Sequence, residues 1–194
     1  MPEAANPEAR LPPLAREAMN DAQRAAADEL IAGPRKAVKG PFIALLRSPD
    51  LLARLQKVGD YLRFGSALPV RVSEFATLVV SRTWTQQFEW AIHVPLALKA
   101  GTSAETIAAL AEGRQPPSMS DDEAAVHAFC SELLAHHGVS DTSYGAVLER
   151  FGEQGVVDLA ALVGYFVQMS MVLNVARTPA EPDNGVAPLP PLPL

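Results

Sequence analysis

Signals that start and stop helices punctuate this chain at short intervals, and they constrain its fold more than any other feature. Ser48-Pro49-Asp50 supplies an N-cap, a first-turn proline and an acid, and Ser120 precedes three acids with the spacing of a capping box. No stretch alternates apolar and polar residues with the period of a strand. The pattern predicts an all-α fold with helices over 15–31, 49–64, 69–82, 84–100, 103–112, 120–137, 140–150 and 153–176.

The helical part is long enough for one domain with a substantial core, and both ends of the chain differ from it in composition. We expect an extended N-terminal arm over 1–13, a helical domain over 14–177 and a proline-rich tail over 178–194. Because proline cannot continue a helix, the tail, which ends in PLPPLPL, is predicted to be polyproline-like or disordered. It could serve as a PxxP-type ligand, but an end that is flexible or that only packs on the domain explains the same composition.

The stretch 156–175 is apolar for about the length of a bilayer span. It contains Asp158, Gln168, Ser170 and Asn174, and a buried helix of a bundle explains this composition better than a membrane helix does. We therefore expect the central helix of a bundle and no membrane partner.

Charge and cysteine usage exclude several classes of protein. The net charge is −6 and the pI about 5.2, with no run of Lys and Arg to neutralise phosphates, so no nucleic-acid partner is expected. Cys130 is the sole cysteine, which rules out an intramolecular disulfide and a C-x-x-C redox centre. The acidic N-terminus lacks the residue order of a signal peptide, and a cytoplasmic protein is predicted.

Four polar side chains interrupt an otherwise apolar stretch with the spacing E-x11-Q-x2-E-x3-H, namely Glu74, Gln86, Glu89 and His93. On a helix, Glu89 and His93 are i,i+4 neighbours, and Gln86 extends the same stripe. A carboxylate raises the pKa of a neighbouring imidazole while desolvation opposes charging, which is a setting for general acid–base chemistry. The plainer alternatives are a solvent-facing ion pair and, for Glu74, an ordinary acid near a helix N-terminus.

Three further features of this region leave alternatives open. Pro95 lies two residues after His93, and it either frees backbone acceptors beside the site or only curves the helix. Arg71 and Arg82 are either anchors for a substrate carboxylate or helix-end charges. The two glutamates and the histidine could also form a facial set for a divalent ion.

The spacing of the quartet resembles that of the carboxymuconolactone decarboxylase and alkylhydroperoxidase D superfamily. Redox members of that family carry E-x11-C-x2-C-x3-H, and here Gln86 and Glu89 stand at the two cysteine positions. The run EWAIH, continuing into PLALKAG, is similar to the decarboxylase branch, and the likeness extends over about residues 41–113. The resemblance implies an alkylhydroperoxidase D-like helical bundle, a homo-oligomer, and chemistry on a small molecule without a cofactor or a metal.

The same resemblance implies a cofactor-independent lyase that acts on a small acidic lactone or related ring. Loss of carbon dioxide leaves an electron pair that an unsaturated lactone delocalises to its carbonyl oxygen, so the protein must stabilise a dienolate and protonate carbon. On this hypothesis His93 donates the proton, Glu89 sets its tautomer and pKa, and Glu74 orients the pair or relays a proton. Gln86 donates a hydrogen bond to a substrate oxygen, and Trp90 belongs to an apolar wall.

Two alternatives to the lyase hypothesis remain. One is an alkylhydroperoxidase-like protein without thiol peroxidase chemistry, because Gln86 and Glu89 supply neither the attacking nor the resolving thiol. The other is a non-catalytic small-molecule binding protein that keeps the fold.

Overall fold

Helices account for nearly all regular structure in a computed structural model of the chain, which describes residues 9–180 and 185–191. A single 3-10 turn at Arg16–Ala18 comes first, and no strand occurs in the described ranges, so the predicted all-α class is confirmed. The helices are α1 (Asp21–Ala32), α2 (Pro41–Leu45), α3 (Pro49–Phe64), α4 (Val70–Thr83), α5 (Gln87–Ala100), α6 (Ala104–Ala111), α7 (Asp121–His136) and α8 (Asp141–Ala176).

Side-chain caps set the starts of the later helices close to their predicted positions. The Ser120 hydroxyl accepts from the backbone N–H of Glu123, whose carboxylate accepts from the backbone N–H of Ser120, which is the predicted capping box of α7. Ser103 and Ser140 cap α6 and α8 in the same way, each accepting from a backbone N–H three residues later.

The structure differs from the sequence prediction at several helix boundaries. Helix α1 begins at Asp21 rather than at residue 15, because Asn20 and Gln23 form a capping box. Helix α5 begins at Gln87 rather than at residue 84, with Gln86 as its cap. The short helix α2 was not predicted. The element α8 contains a non-helical break at Gly152 (φ 68°), so here the prediction of one helix on either side of this glycine is confirmed.

Helix α4 lies at the centre of the bundle and packs against α5, α7 and α8. Every residue from 72 to 82 is buried, and the Phe75 and Leu78 side chains are completely inaccessible. A helix buried on all sides leaves any polar side chain on it without water, and a buried polar group is costly unless it finds a partner. Glu74 and Arg82 both lie in this buried stretch, so their partners carry information about function.

Helix α8 is by length and composition apolar enough to cross a membrane, but half of its most apolar stretch is buried inside the fold. Leu159, Leu162, Phe166 and Leu173 belong to the core. A core helix of a bundle shows this same pattern.

Assembly of the chain into a homo-oligomer, which the family resemblance implies, stays a prediction.

The described part of the tail, residues 185–191, is packed against the helices. Leu189 is buried, and its backbone N–H and C=O form hydrogen bonds of 2.8 and 2.9 Å with the side-chain amide of Gln87. Arg82 donates to the backbone carbonyl of Pro190 at 2.7 Å. The packing interpretation therefore fits residues 185–191. Residues 1–8 of the expected arm, and 181–184 and 192–194 of the tail, lie outside the described residues.

Candidate active site

His93 forms the centre of a buried chain of three ionisable side chains on two helices. Its Nδ1 lies 2.6 Å from Oε2 of Glu74 on α4, and its Nε2 lies 3.4 Å from Oε2 of Glu89, one turn earlier on α5. All three residues are more than nine-tenths buried. The edge-to-face contact with the Phe166 ring of α8, at 5.1 Å between centroids, fixes the imidazole plane from a third helix.

The two carboxylates decide the charge of His93. Burial alone lowers the pKa of His93, but the hydrogen bonds and charges of Glu74 and Glu89 outweigh it and raise this pKa above its ordinary value. The imidazole therefore holds a proton on both nitrogens to higher pH than an exposed histidine does. A protonated, oriented imidazole between two carboxylates is equipped to donate a proton and to take it back.

A cavity of about 270 Å³ opens onto one side of this chain of groups. His93 and Glu89 line it, whereas Glu74 lies behind His93 and does not. The sequence hypothesis gave Glu89 the role of fixing the His93 tautomer, but the short bond belongs to Glu74. In the structure Glu74 is placed to orient the imidazole, and Glu89 is placed beside whatever occupies the cavity.

Cationic and apolar side chains complete the cavity, and sequence reasoning did not identify them. Arg35 and Arg63 bring positive charge to a wall otherwise formed mainly by rings and aliphatic groups. No spacing rule links the loop before α2, the end of α3 and the middle of α8, so the sequence carried no signal for this set. Its apolar members are Pro34, Ala37, Pro41, Phe42, Phe64, Phe88, Ile92, Phe166 and Met169, and Lys39 and Tyr165 add polar groups.

Arg35 is held in place but not fully satisfied. Its guanidinium lies 4.5 Å from the centroid of the Phe42 ring, and its Nη2 lies 3.3 Å from Oδ1 of Asp60, without the alignment of a hydrogen bond. The Nε atoms of Arg35 and Arg63 are buried and have no hydrogen-bond partner among the described residues. Buried donors without a partner at a cavity wall are suited to bind an anion.

Tyr165 adds a neutral donor beside these cations. Burial raises the pKa of Tyr165 to about 12, so its hydroxyl stays protonated at neutral pH. Helix α3 approaches it through Gly59, where a Cβ atom would lie 2.2 Å from the Tyr165 hydroxyl and 2.6 Å from Nη2 of Arg35. Glycine at position 59 therefore makes room for both polar groups.

Gln86 and Trp90 do not join the site as the sequence analysis expected. The Gln86 side chain accepts from the backbone N–H of Phe88 at 2.7 Å and donates to Oδ1 of Asn174 at 2.7 Å, so its hydrogen-bonding capacity is used in capping α5 and binding α8. Trp90 belongs to the hydrophobic core, and neither residue lines the cavity. The expected substrate contacts of both residues lack support in this geometry.

The other candidate groups of the sequence analysis lie elsewhere. Arg71 forms a two-bond ion pair with Glu123, at 2.8 and 3.2 Å, and Arg82 lines a different cavity. Pro95 is exposed while His93 is buried, which favours the interpretation that Pro95 only curves α5. The described residues contain no group of three or more His, Cys, Asp or Glu side chains arranged to hold a metal ion.

Cys130 is predicted to give no thiol chemistry. It is buried in α7, and burial raises the pKa of its thiol to about 12, so almost no thiolate exists at neutral pH. We expect no thiol-dependent peroxide turnover in the wild type or in Cys130→Ser, measured by peroxide consumption with a dithiol reductant. Turnover that disappears in Cys130→Ser would move the active site to Cys130, and turnover that survives it would contradict the thiol requirement.

Comparisons with known proteins agree with this architecture. The model of the carboxymuconolactone decarboxylase family matches residues 49–130, which include Glu74, Glu89 and His93 but not Arg35 or Tyr165. No match is found among curated proteins.

Two crystal structures share the fold. An alkylhydroperoxidase AhpD core protein from Ralstonia eutropha JMP134, described as an uncharacterized peroxidase-related protein, is 17% identical with a TM-score of 0.73, over 91% of this chain and 94% of that one. A protein of unknown function from Agrobacterium tumefaciens, related by its description to AhpD, is 17% identical with a TM-score of 0.64, over 72% of this chain and 96% of that one. Residues 49–130 are thus similar to the carboxymuconolactone decarboxylase family, and the chain shares the fold of these two alkylhydroperoxidase D-like structures.

Proposed function

We propose that the chain is a cofactor-independent lyase that removes carbon dioxide from a small unsaturated ring acid, with His93 as the proton donor. The observation that carries the proposal is the buried Glu74–His93–Glu89 chain, one side of which faces a cavity with two arginines. The raised pKa of His93 keeps the donor charged to higher pH than an ordinary histidine. The cavity volume of about 270 Å³ suits a single small ring with its substituents.

The reaction needs an electron sink and a proton. The bond between the ring and the carboxylate carbon breaks, carbon dioxide leaves, and the electron pair passes into a conjugated enolate whose charge lies on the ring carbonyl oxygen. The proton on Nε2 of His93 then passes to the enolate carbon and forms the new C–H bond. Glu89, 3.4 Å from Nε2, takes up a proton from solvent in the cavity and relays it back to the imidazole. Glu74 keeps the Nδ1 proton and the ring orientation throughout.

The arginines must not hold the carboxylate that leaves. A cation on that group would stabilise the ground state more than the transition state, in which its charge is dispersed. We therefore place the leaving carboxylate against the apolar wall of Phe166 and Ile92, and the enolate oxygen or a second carboxylate at Arg35 and Arg63. Donors that meet the charge where it develops stabilise the transition state.

Arg35 is predicted to govern substrate affinity. Replacing it with methionine removes the buried donors while keeping an apolar side chain of similar length, and the loss of hydrogen bonds to a charged group weakens binding of a ring acid by roughly 10-fold or more. The control is Arg54→Gln on the exposed face of α3, where Arg54 pairs with the neighbouring Asp50. Unchanged affinity in Arg35→Met, measured by calorimetry, would remove Arg35 from the proposed site.

A panel of muconolactone-like acids tests the reaction itself. Carbon dioxide release together with a change in conjugated absorbance is the expected result for the wild type. Tight binding without carbon dioxide release would instead identify a small-molecule binding protein in this cavity. Neither binding nor release for any member of the panel would show that the substrate class is wrong.

A further inference from the structure

A second cavity, of about 280 Å³, lies on another side of α4. It is bordered by the end of α4, the loop after α6 and the middle of α7, and it shares no lining residue with the candidate active site. Its polar lining includes Arg82, Arg114, Gln115, His127 and Ser131. The proposed lyase reaction uses none of these groups.

Arg82 is the unusual member of this lining, because its charge is buried and no residue in the described part of the chain supplies a counter-charge. The residue is only 5% exposed, and no described carboxylate lies within 4 Å of its guanidinium. Its Nη1 donates to the carbonyl oxygen of Pro190 at 2.7 Å, while its Nε is buried and has no partner among the described residues. Arginine stays charged in proteins, and buried charges are otherwise paired with an opposite charge.

Neutral groups of the fold compensate this charge only in part. Arg82 lies in the last turn of α4, where the partial negative charge of the helix end amounts to about half an elementary charge. The Pro190 carbonyl adds one dipole. Burial lowers the pKa of Arg82, and no acidic side chain of residues 9–180 or 185–191 raises it again. Among the described residues, therefore, no full negative charge balances Arg82 beside the cavity.

We propose that this second cavity binds a small oxyanion, with the Arg82 guanidinium as its main ligand. Arg114, which is exposed and paired with Glu112, stands at the rim and can turn toward an anion. The Gln115 amide and the Ser131 hydroxyl supply neutral donors, and burial lowers the pKa of His127, so its imidazole contributes as a neutral group. The shared chemistry is that of a phosphate or carboxylate group, carried by a compact molecule.

Binding is tested with inorganic phosphate and, separately, with acetate, each titrated at constant ionic strength against sodium chloride. We expect a saturable rise in the unfolding temperature with at least one of the two anions, and the more effective anion identifies the ligand group. Arg82→Gln is expected to weaken this binding by roughly 10-fold or more, since the charge-assisted bonds are lost. Arg54→Gln makes the same change of net charge on an exposed face and is expected to bind as the wild type does.

A second measurement protects the test if Arg82→Gln fails to fold. The imidazole signals of His127, which lines the cavity, are expected to shift saturably with the same anion in the wild-type protein when followed by NMR. Absence of a saturable response to both anions, or equal binding by the wild type and a folded Arg82→Gln, overturns the proposal. Failure of the lyase assay would not affect either outcome, because the two cavities share no residue.

Discussion

His93→Asn is expected to lower the rate of carbon dioxide release by about 100-fold or more, because the substitution removes the cavity-lining imidazole that holds the transferable proton. Asparagine keeps a polar side chain of similar size, so the cavity and its arginines stay in place. Substrate affinity should change little, and the loss should fall on kcat rather than on the binding step. Single-turnover kinetics together with calorimetry separate the two quantities.

Glu89→Gln is the matched variant for this test. It removes the cavity-side charge 3.4 Å from Nε2 of His93, and we expect a loss of kcat of about the same size with binding largely preserved. If both variants lose affinity in proportion to any loss of turnover, His93 and Glu89 act as binding groups. Full activity in His93→Asn would exclude proton donation by His93.

Glu74→Gln is expected to move the pH profile of the reaction to lower pH. The amide oxygen of glutamine still accepts a hydrogen bond from Nδ1 of His93, but the negative charge that helps to raise the pKa of His93 is gone, while burial continues to lower it. The acid form of His93 is the active one. In the variant, His93 therefore loses its proton at lower pH. As a result, kcat at neutral pH and above falls by roughly 10-fold or more.

The pH dependence of kcat and an NMR titration of His93 check this prediction together. Both should show the His93 pKa displaced downward in Glu74→Gln and unchanged in Glu153→Gln, which removes the same charge from an exposed position on α8. A structural role alone for Glu74 would lower the folded fraction without moving the pKa of His93. An unchanged titration of His93 would mean that Glu74 does not set its charge.

The helix starts that sequence predicted well are those whose determinants lie within three residues. Ser103, Ser120 and Ser140 each cap the helix that follows by accepting a backbone N–H close by in the chain, so no tertiary contact is needed. The start of α1 followed the same physics but was misplaced, because Asn20 with Gln23 is a capping box that the alanine-rich pattern around it concealed. The helical break at Gly152 was likewise predicted from the local sequence.

The same distinction between local and tertiary determinants applies to the candidate active site. Sequence determined that Glu89 and His93 meet, because residues four apart on a helix share a face whatever surrounds them. It did not place Gln86, whose side chain had a nearby backbone N–H to cap and a partner on α8 at Asn174. The spacing of the motif specifies where Gln86 lies in the chain, but it does not specify which way the side chain points.

Only the tertiary structure decided which groups face one another across the bundle. The 2.6 Å contact between Glu74 and His93 requires α4 and α5 to pack at one register, and the approach of Arg35 to Tyr165 requires α3 to pass α8 at Gly59. Arg82 became a buried charge only when the helices and the tail closed around α4. Capping hydrogen bonds and helix periodicity act over a few residues, so the sequence predicts them. Burial and cross-helix contacts depend on how whole apolar faces pack together, and only the tertiary structure determines them.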